Sequence, residues 1–186
     1  YKMKASYVEI YNETIRDLPA PGAGHSEAHK TIHENGSTTI SGVNTEIVES
    51  VEQAHVLVRK AAAARKVHAP QMNAHSSRSD TIFMLHVSGV HAASGSTLSG
   101  ALNLVDLAGS ERVARSGASG DRLKEACAIN KSLSSLGDVF AALGSKAKHV
   151  PYRNSKLTYL LAPCLGGDGK TLIVVNVSPY YDSNEE

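Results

Sequence analysis

The stretch Leu102–Arg112 constrains the fold most, because an apolar run ends there abruptly in an acid, a glycine and a second acid. Runs of this kind are typical of strands buried on both faces, which occur mainly as parallel strands of α/β sheets. Functional groups in such sheets lie where strands end and loops begin. The sequence therefore predicts a buried parallel strand with a functional loop behind it.

Two residues of this stretch suit phosphate and metal chemistry. Asp106 is placed to hold a Mg²⁺-bound water, since hard cations prefer oxygen ligands. Gly109 is placed to offer its backbone N–H to a terminal phosphate, because no Cβ blocks close approach. The D-x-x-G pattern alone also fits a plain strand and turn in which Asp106 caps a helix.

Two further segments carry specific patterns. Asn73–Asp80 reads N-A-H-S-S-R-S-D, a cluster of hydroxyls around one arginine that suits a loop coordinating Mg²⁺ and phosphate oxygens. His149–Thr158 reads H-V-P-Y-R-N-S-K-L-T. Together with D-L-A-G-S-E, these segments resemble the first switch (N-x-x-S-S-R-S-H), the second switch and the tubulin-binding loop of kinesin motor domains. The resemblance extends from about residue 5 to about residue 179.

The resemblance implies a role for each switch residue. Asn73 and Ser76 would approach the nucleotide, and Ser77 would supply a hydroxyl to the Mg²⁺. Arg78 would pair with Glu111, forming a latch that closes only when the γ-phosphate draws both loops inward. The implied cofactors are ATP and Mg²⁺. A solvated turn remains the alternative interpretation of the serine cluster.

The helix predicted after the second switch has one apolar stripe, formed by Ile129, Leu133, Leu136, Phe140 and Leu143. It resembles the kinesin relay helix, which lies on tubulin. Lys131 falls off the stripe and could face an acidic partner or simply solvent.

A local basic cluster follows in Lys146, Lys148, His149, Arg153 and Lys156. Because the family binds an acidic tubulin surface, the resemblance implies that microtubules are the partner. The implied contact residues are Lys131, His149, Tyr152, Arg153 and Lys156. A solvated basic loop is the alternative.

The resemblance implies an α/β fold: a P-loop NTPase-like, three-layer motor domain with helices flanking a mixed sheet. However, no stretch satisfies the phosphate-loop pattern G-x-x-x-x-G-K-[ST]. Gly169-Lys170-Thr171 matches its end, but the first glycine of the pattern would have to stand at position 164, which is Cys164. Gly166–Thr171 is therefore interpreted as a turn. We expect residues 1–186 to be a partial motor domain, without the first strands and phosphate loop upstream and the last helix and neck downstream.

Composition excludes several classes of function. Lys+Arg and Asp+Glu nearly cancel at 19 and 18, so global charge predicts no nucleic-acid partner. The sequence contains no long apolar span, so it does not predict insertion into a membrane. Cys127 and Cys164 form no disulfide framework or metal pattern, which fits a reducing compartment. His25, His29 and His33 recur every four residues, but solvated loop histidines are favoured over a metal site.

Local patterns predict the remaining elements. Met3–Tyr11 is expected to be a strand leading into a helix capped by Asn12, with Glu13 in its first turn. A hairpin is predicted over Thr31–Gly42, with its turn at Asn35-Gly36, and a helix over Val51–Val67, capped by Ser50. Three more strands are predicted over Thr81–Val90, which is expected to be buried on both faces, Thr97–Leu107 and Leu172–Val177.

Five positions depart from the family pattern. Ala61 stands for the usual glycine, Pro70 for threonine and Asp80 for the histidine that ends the first switch. Ala162 and Pro163 stand where the family commonly has glutamine and a polar residue, and Pro163 is expected to end or kink the predicted short helix early.

The leading prediction is a parent motor that hydrolyses Mg·ATP and moves along microtubules. Ser119–Glu125 and Gly166–Asp168 most resemble C-terminal-motor, minus-end-directed kinesins. The implied parent is a dimer through a coiled coil outside this chain, located in the cytoplasm on the cytoskeleton, with the spindle as one candidate site. Without a phosphate loop, this chain alone is expected to bind nucleotide weakly or not at all and to be inactive. The alternatives are a non-catalytic microtubule-binding module derived from a motor and another P-loop NTPase.

Overall fold

The computed structural model describes residues 1–18, 32–34, 38–67, 77–110, 120–166 and 169–176. The chain divides into two compact units. The first comprises Tyr1–His33 and Ile40–Ala108, and the second comprises Glu34–Thr39 and Gly109–Glu186. A separate two-stranded sheet of β3 (Ile32–Glu34) and β4 (Thr38–Ile40) confirms the predicted hairpin strands, although the turn residues lie outside the described part of the chain.

The first unit is built on one sheet and one helix. Its elements are β1 (Lys2–Tyr11), β2 (Thr14–Asp17), β5 (Glu46–Ile47), α1 (Val51–Val67), β6 (Asp80–Val90) and β7 (Thr97–Asp106). The strand order is β2-β1-β6-β7, with β5 also pairing with β1. Every pair in this sheet is antiparallel, so the prediction of a mixed sheet is wrong for the described residues.

The chain after β1 forms a tight hairpin, and the helix predicted at Asn12 is absent. Asn12 and Glu13 have φ of 50° and 56°. Positive φ at both central residues is the pattern of a two-residue type I′ turn, and its twist matches that of the strands on either side. Ile10 pairs with Ile15 across the hairpin, and both are buried. The side-chain alternation of a sheet therefore determines this segment, rather than the capping preference of asparagine.

The prediction of a buried parallel strand at Leu102–Leu107 is also wrong. The strand β7 pairs with β6 in antiparallel register, and Leu102 and Leu104 are 51% and 57% exposed. No other described strand pairs with β7, and all but one of its residues are exposed among the described residues. The strand β6 is buried over Asp80–Met84 only, and its remaining residues alternate between partly buried and exposed.

The strand predicted over Leu172–Val177 is also wrong for the described residues. Leu172–Asn176 forms no strand and is exposed, and Val177 lies outside the described residues.

The helix α1 begins at the predicted cap. The backbone N–H of Gln53 donates to Ser50 Oγ at 3.3 Å, and the N–H of Glu49 donates to Gln53 Oε1 at 2.7 Å. The first bond satisfies a donor that the first turn of a helix leaves without a partner, and the second joins the residue before the cap to the same turn. The predicted bounds, Val51–Val67, match the observed ones.

The core of the first unit lies where α1 meets the sheet. Leu57 is 1% exposed and packs in a cluster with Ala5, Val48 and Phe83. Ala61 is also fully buried, which is consistent with a small residue facing the sheet. Val51 and Val58 are exposed, so Leu57 and not these two valines carries the contact with the sheet.

The second unit contains α2 (Asp121–Gly144), a 3₁₀ turn (Tyr152–Asn154) and α3 (Lys156–Leu165). Its last helix begins at a capping box: the N–H of Thr158 donates to Ser155 Oγ at 3.1 Å, and the N–H of Ser155 donates to Thr158 Oγ1 at 3.3 Å. Leu157, Leu160 and Leu161 are buried. The helix runs past Pro163 and ends at Leu165. In the described parts of the chain, no helix is both long and apolar enough to cross a membrane.

Leu57→Ala should lower the free energy of unfolding by about 2–5 kcal/mol, because it leaves a cavity where α1 packs on the sheet. Val56→Ala is the matched control, since Val56 lies next to Leu57 on the helix but is 42% exposed. Urea denaturation followed by circular dichroism measures both. Equal losses for the two variants would contradict the packing described here.

Candidate functional site

A buried carboxylate organises the end of the sheet at which the two predicted switch segments begin. Glu9, near the end of β1, is 1% exposed. Its Oε1 accepts a hydrogen bond from Ser79 Oγ at 2.7 Å and lies 3.4 Å from Arg65 Nε. Its Oε2 lies 3.6 Å from Arg16 Nη1. A buried carboxylate is expensive unless it is paired and hydrogen-bonded, and here both oxygens have partners.

Arg65, near the end of α1, extends this arrangement in two directions. Its Nη2 donates to the carbonyl of Ser79 at 3.0 Å and to Ser79 Oγ at 2.9 Å. Its Nη1 lies 3.6 Å from Asp106 Oδ2, at the end of β7. The set formed by Glu9, Arg16, Arg65, Ser79 and Asp106 is called the Glu9 cluster below. It ties α1, β1, β2 and the ends of β6 and β7 together by charge and hydrogen bonding.

The first predicted switch is described only in part. Ser77 and Arg78 lie just before β6, and both are partly buried. Asn73, Ser76 and Glu111 lie outside the described residues, as does the predicted Arg78–Glu111 pair. The roles of all five residues stay predictions.

The end of the predicted first switch and the start of the predicted second switch meet at one end of the sheet. Thr81 and Asp106 are register partners in β6 and β7. Asp80, the first residue of β6, is 3% exposed, and its Oδ1 accepts a hydrogen bond from the backbone N–H of Ala108 at 2.9 Å. The acid that replaces the family's histidine is therefore a buried acceptor. Gly109, the next residue along the chain, is partly buried.

The chemistry of this end of the sheet fits a nucleotide-bound Mg²⁺. Among the described residues, no group of at least three His, Cys, Asp or Glu could hold a metal ion. Mg²⁺ bound to a nucleotide does not require such a cage, because it keeps several waters and takes few protein ligands besides phosphate oxygens. A serine hydroxyl and a carboxylate, as at Ser77 and Asp106, belong to that donor class.

The second unit carries the predicted partner-binding residues. Lys131 is exposed on α2, His149 and Arg153 are exposed, and Tyr152 and Lys156 are partly buried. The Arg153 guanidinium lies 5.7 Å from the centre of the Tyr159 ring, a cation–π distance. Thr158 Oγ1 donates to the carbonyl of Tyr152 at 2.7 Å, which fixes the 3₁₀ turn to α3. Arg153 and Lys156 are thus carried by a short, internally bonded segment.

Sequence reasoning missed the Glu9 cluster and the bond from Ala108 to Asp80. One signal was available: Glu9 is an acid within an apolar strand, and an acid is almost never fully buried unless it is paired. The sequence did not indicate which arginines would pair with it, because Arg65 approaches from a different element.

The comparisons with known proteins agree with the predicted family. The profile of the kinesin motor domain matches residues 1–186. The chain belongs to the kinesin motor domain family. Kinesin-like protein KIN-14N of Oryza sativa subsp. japonica is 50% identical over 192 residues, and KIN-14C of Arabidopsis thaliana is 52% identical over 192 residues. These matches cover 100% and 96% of this chain, but 25% and 24% of the relatives.

Solved kinesin structures share the fold. The C-terminal motor and motor homology domain of Kar3Vik1, fused to a synthetic heterodimeric coiled coil, matches with a TM-score of 0.83 and 46% identity over 99% of this chain and 48% of that chain. The KAR3 motor domain of Saccharomyces cerevisiae gives 0.82 and 46%, over 99% of this chain and 56% of that one. The predicted α/β kinesin fold and the likeness to C-terminal-motor kinesins are confirmed. The chain spans about a quarter of the curated relatives it matches.

Glu9→Gln should destabilise the first unit by about 3 kcal/mol, because it removes one partner of a buried charge cluster. The matched control is Glu46→Gln, which breaks the exposed pair of Glu46 and Lys60 at 3.8 Å. Exposed pairs contribute at most about 1 kcal/mol. Urea denaturation of both variants measures the difference, and a loss for Glu9→Gln no larger than the control's would contradict a structural role for the cluster.

Proposed function

We propose that this chain is part of a microtubule-based motor that couples Mg·ATP hydrolysis to movement, and that residues 1–186 are the later portion of its motor domain. Family membership supports the assignment. The structural observation that carries it is the meeting of the two switch segments at one end of the sheet, where Asp80 binds the backbone at Ala108. A phosphate-dependent change in one segment can therefore be transmitted to the other.

The proposed nucleotide roles divide between the two segments. The chain would hold Mg²⁺ through the hydroxyl of Ser77 and, across a water, through Asp106. The bound Mg·ATP supplies the γ-phosphate whose charge both segments sense. The residues proposed to contact the nucleotide are Asn73, Ser76, Ser77 and Gly109, and the proposed latch is Arg78 with Glu111. The proposed metal-side carboxylate, Asp106, is 74% exposed and lies 3.6 Å from Arg65 Nη1, which links it to the Glu9 cluster by a weak ion pair.

The proposed microtubule surface lies in the second unit. Positive charge attracts an acidic surface most effectively where side chains are exposed and already oriented. Arg153 meets both conditions, since it is exposed and lies over Tyr159. The full set is Lys131, His149, Tyr152, Arg153 and Lys156. Because the chain as a whole has a net charge of only +1, this attraction must be local.

The likeness to Kar3 and KIN-14 proteins supports the finer proposals. We place the parent among the C-terminal-motor, minus-end-directed kinesins, dimeric through a coiled coil outside this chain and located on the cytoplasmic cytoskeleton. The C-terminal motor and motor homology domain of Kar3Vik1 was solved fused to a synthetic heterodimeric coiled coil, and a coiled-coil dimer is the kind of assembly we propose.

In a complete motor domain containing this chain, Gly109→Ala should reduce microtubule-stimulated ATP turnover at least about a hundredfold, as expected for the loss of one donor to a developing phosphate charge. Gly137→Ala is the control, since a Cβ at Gly137 meets nothing within 4 Å. Steady-state ATPase assays measure both. Near-normal stimulated turnover for Gly109→Ala would contradict the nucleotide assignment.

Replacing Arg153 and Lys156 together with alanine should weaken microtubule binding about tenfold, because two charge contacts to an acidic surface are lost. The matched control is the double variant Lys2→Ala with Lys4→Ala, which removes the same amount of positive charge from exposed positions in β1. Binding isotherms at two salt concentrations measure the effect, and the salt dependence should fall only for the first pair. Equal behaviour of the two double variants would remove Arg153 and Lys156 from the proposed surface.

A second candidate function is a non-catalytic microtubule-binding module derived from a motor. The departures at Pro70 and Asp80 favour it, because a degenerate switch tolerates changes that a working one does not. It predicts microtubule binding without any stimulated ATP turnover by the complete domain. The ATPase assay above therefore separates the two functions.

A further inference from the structure

The contact between Asp80 and Ala108 joins the two switch segments directly. Asp80 is 3% exposed, and its carboxylate accepts from a backbone amide 28 residues further along the chain. Asp80 is itself held on both sides. It pairs in register with Ile10 of β1, and its neighbour Ser79 is bound by Glu9 and Arg65. The acceptor oxygen therefore has a defined position before any ligand binds.

The donor lies at the point where the chain leaves the first unit. Ala108 is the last residue of that unit, is 7% exposed and directly precedes Gly109. Because a peptide group is planar, a hydrogen bond at the Ala108 N–H fixes the whole peptide plane that enters Ala108. Only the φ and ψ of Ala108 then separate this fixed plane from the N–H of Gly109.

We propose that Asp80 is a positioning residue that orients the Gly109 N–H toward the γ-phosphate by anchoring Ala108. This inference rests on the proposed function and deepens it, since it assigns a role to a residue at which this chain departs from the family pattern. A charged acceptor suits that role, because a hydrogen bond from an N–H to a carboxylate is stronger than one to a neutral acceptor.

The role predicts a graded series of variants. Asp80→Asn keeps an oxygen in the same place without the charge, whereas Asp80→Ala leaves the buried Ala108 N–H without this acceptor. The loss of orientation should affect the transition state, in which charge develops on the phosphate, more than the binding of ATP. We therefore expect kcat to fall and KM for ATP to change little.

The test uses a complete motor domain containing this chain, with three measurements: amide hydrogen exchange at Ala108, kcat and KM for ATP in microtubule-stimulated turnover. Asp80→Ala should speed exchange at Ala108 and lower kcat, each by about tenfold, with KM within about twofold of the unmodified domain. Asp80→Asn should lie between. Leu57→Ala is the control for general destabilisation, and it should lower stability without the selective loss of kcat.

The outcomes separate the two levels of the proposal. Unchanged kcat and unchanged Ala108 exchange in Asp80→Ala, within an active domain, would overturn the role of Asp80 alone. Equal losses of kcat in Asp80→Ala and Leu57→Ala would also overturn it, since the effect would then be general. If Asp80→Ala does not fold, the same two comparisons are made with Asp80→Asn at a reduced effect. A complete domain without stimulated turnover would overturn the proposed function and this role with it.

Discussion

The buried carboxylate of Glu9 is the constraint on which the first unit depends. A charge at 1% exposure destabilises a fold by several kcal/mol unless opposite charges and donors compensate it. Here the compensation comes from Arg16 of β2, Arg65 of α1 and Ser79 at the entrance to β6. Three elements are thereby fixed to β1 by one side chain, and the first switch enters the sheet at a position set by that chain of contacts.

The same arrangement connects scaffold and function. Ser79 belongs to the Glu9 cluster, and the adjacent Asp80 holds the backbone of the second switch at Ala108. Asp106 is joined to Arg65 at the other end of the cluster. Ser79 and Asp106, which belong to the two predicted switch segments, are thus part of the network that compensates the buried charge of Glu9. The proposed microtubule surface would depend on exposed charge instead of buried charge, since cations on a short bonded segment can attract a partner without large desolvation costs.

Sequence reasoning predicted what local pattern and motif determine. Hydrophobic periodicity and capping preferences predicted α1 and its Ser50 cap, and the sequence motifs predicted the family. It was wrong at β7, because an apolar run indicates a preference for burial but not which neighbours a strand has; in the described residues β7 has only β6. It was wrong at Asn12 for a related reason, since asparagine suits both a helix cap and a positive-φ turn, and the strand pairing decided between them. The Glu9 cluster depends on contacts between distant elements, which no single-sequence pattern displays.

The most direct test of the account is microtubule co-sedimentation of a complete motor domain containing this chain, with ADP and then with a non-hydrolysable ATP analogue. We predict tighter binding with the analogue, because the proposed switch segments would respond to the γ-phosphate and would influence the proposed microtubule surface. Binding of equal affinity in the two nucleotide states would contradict it, since the surface would then be uncoupled from the switches.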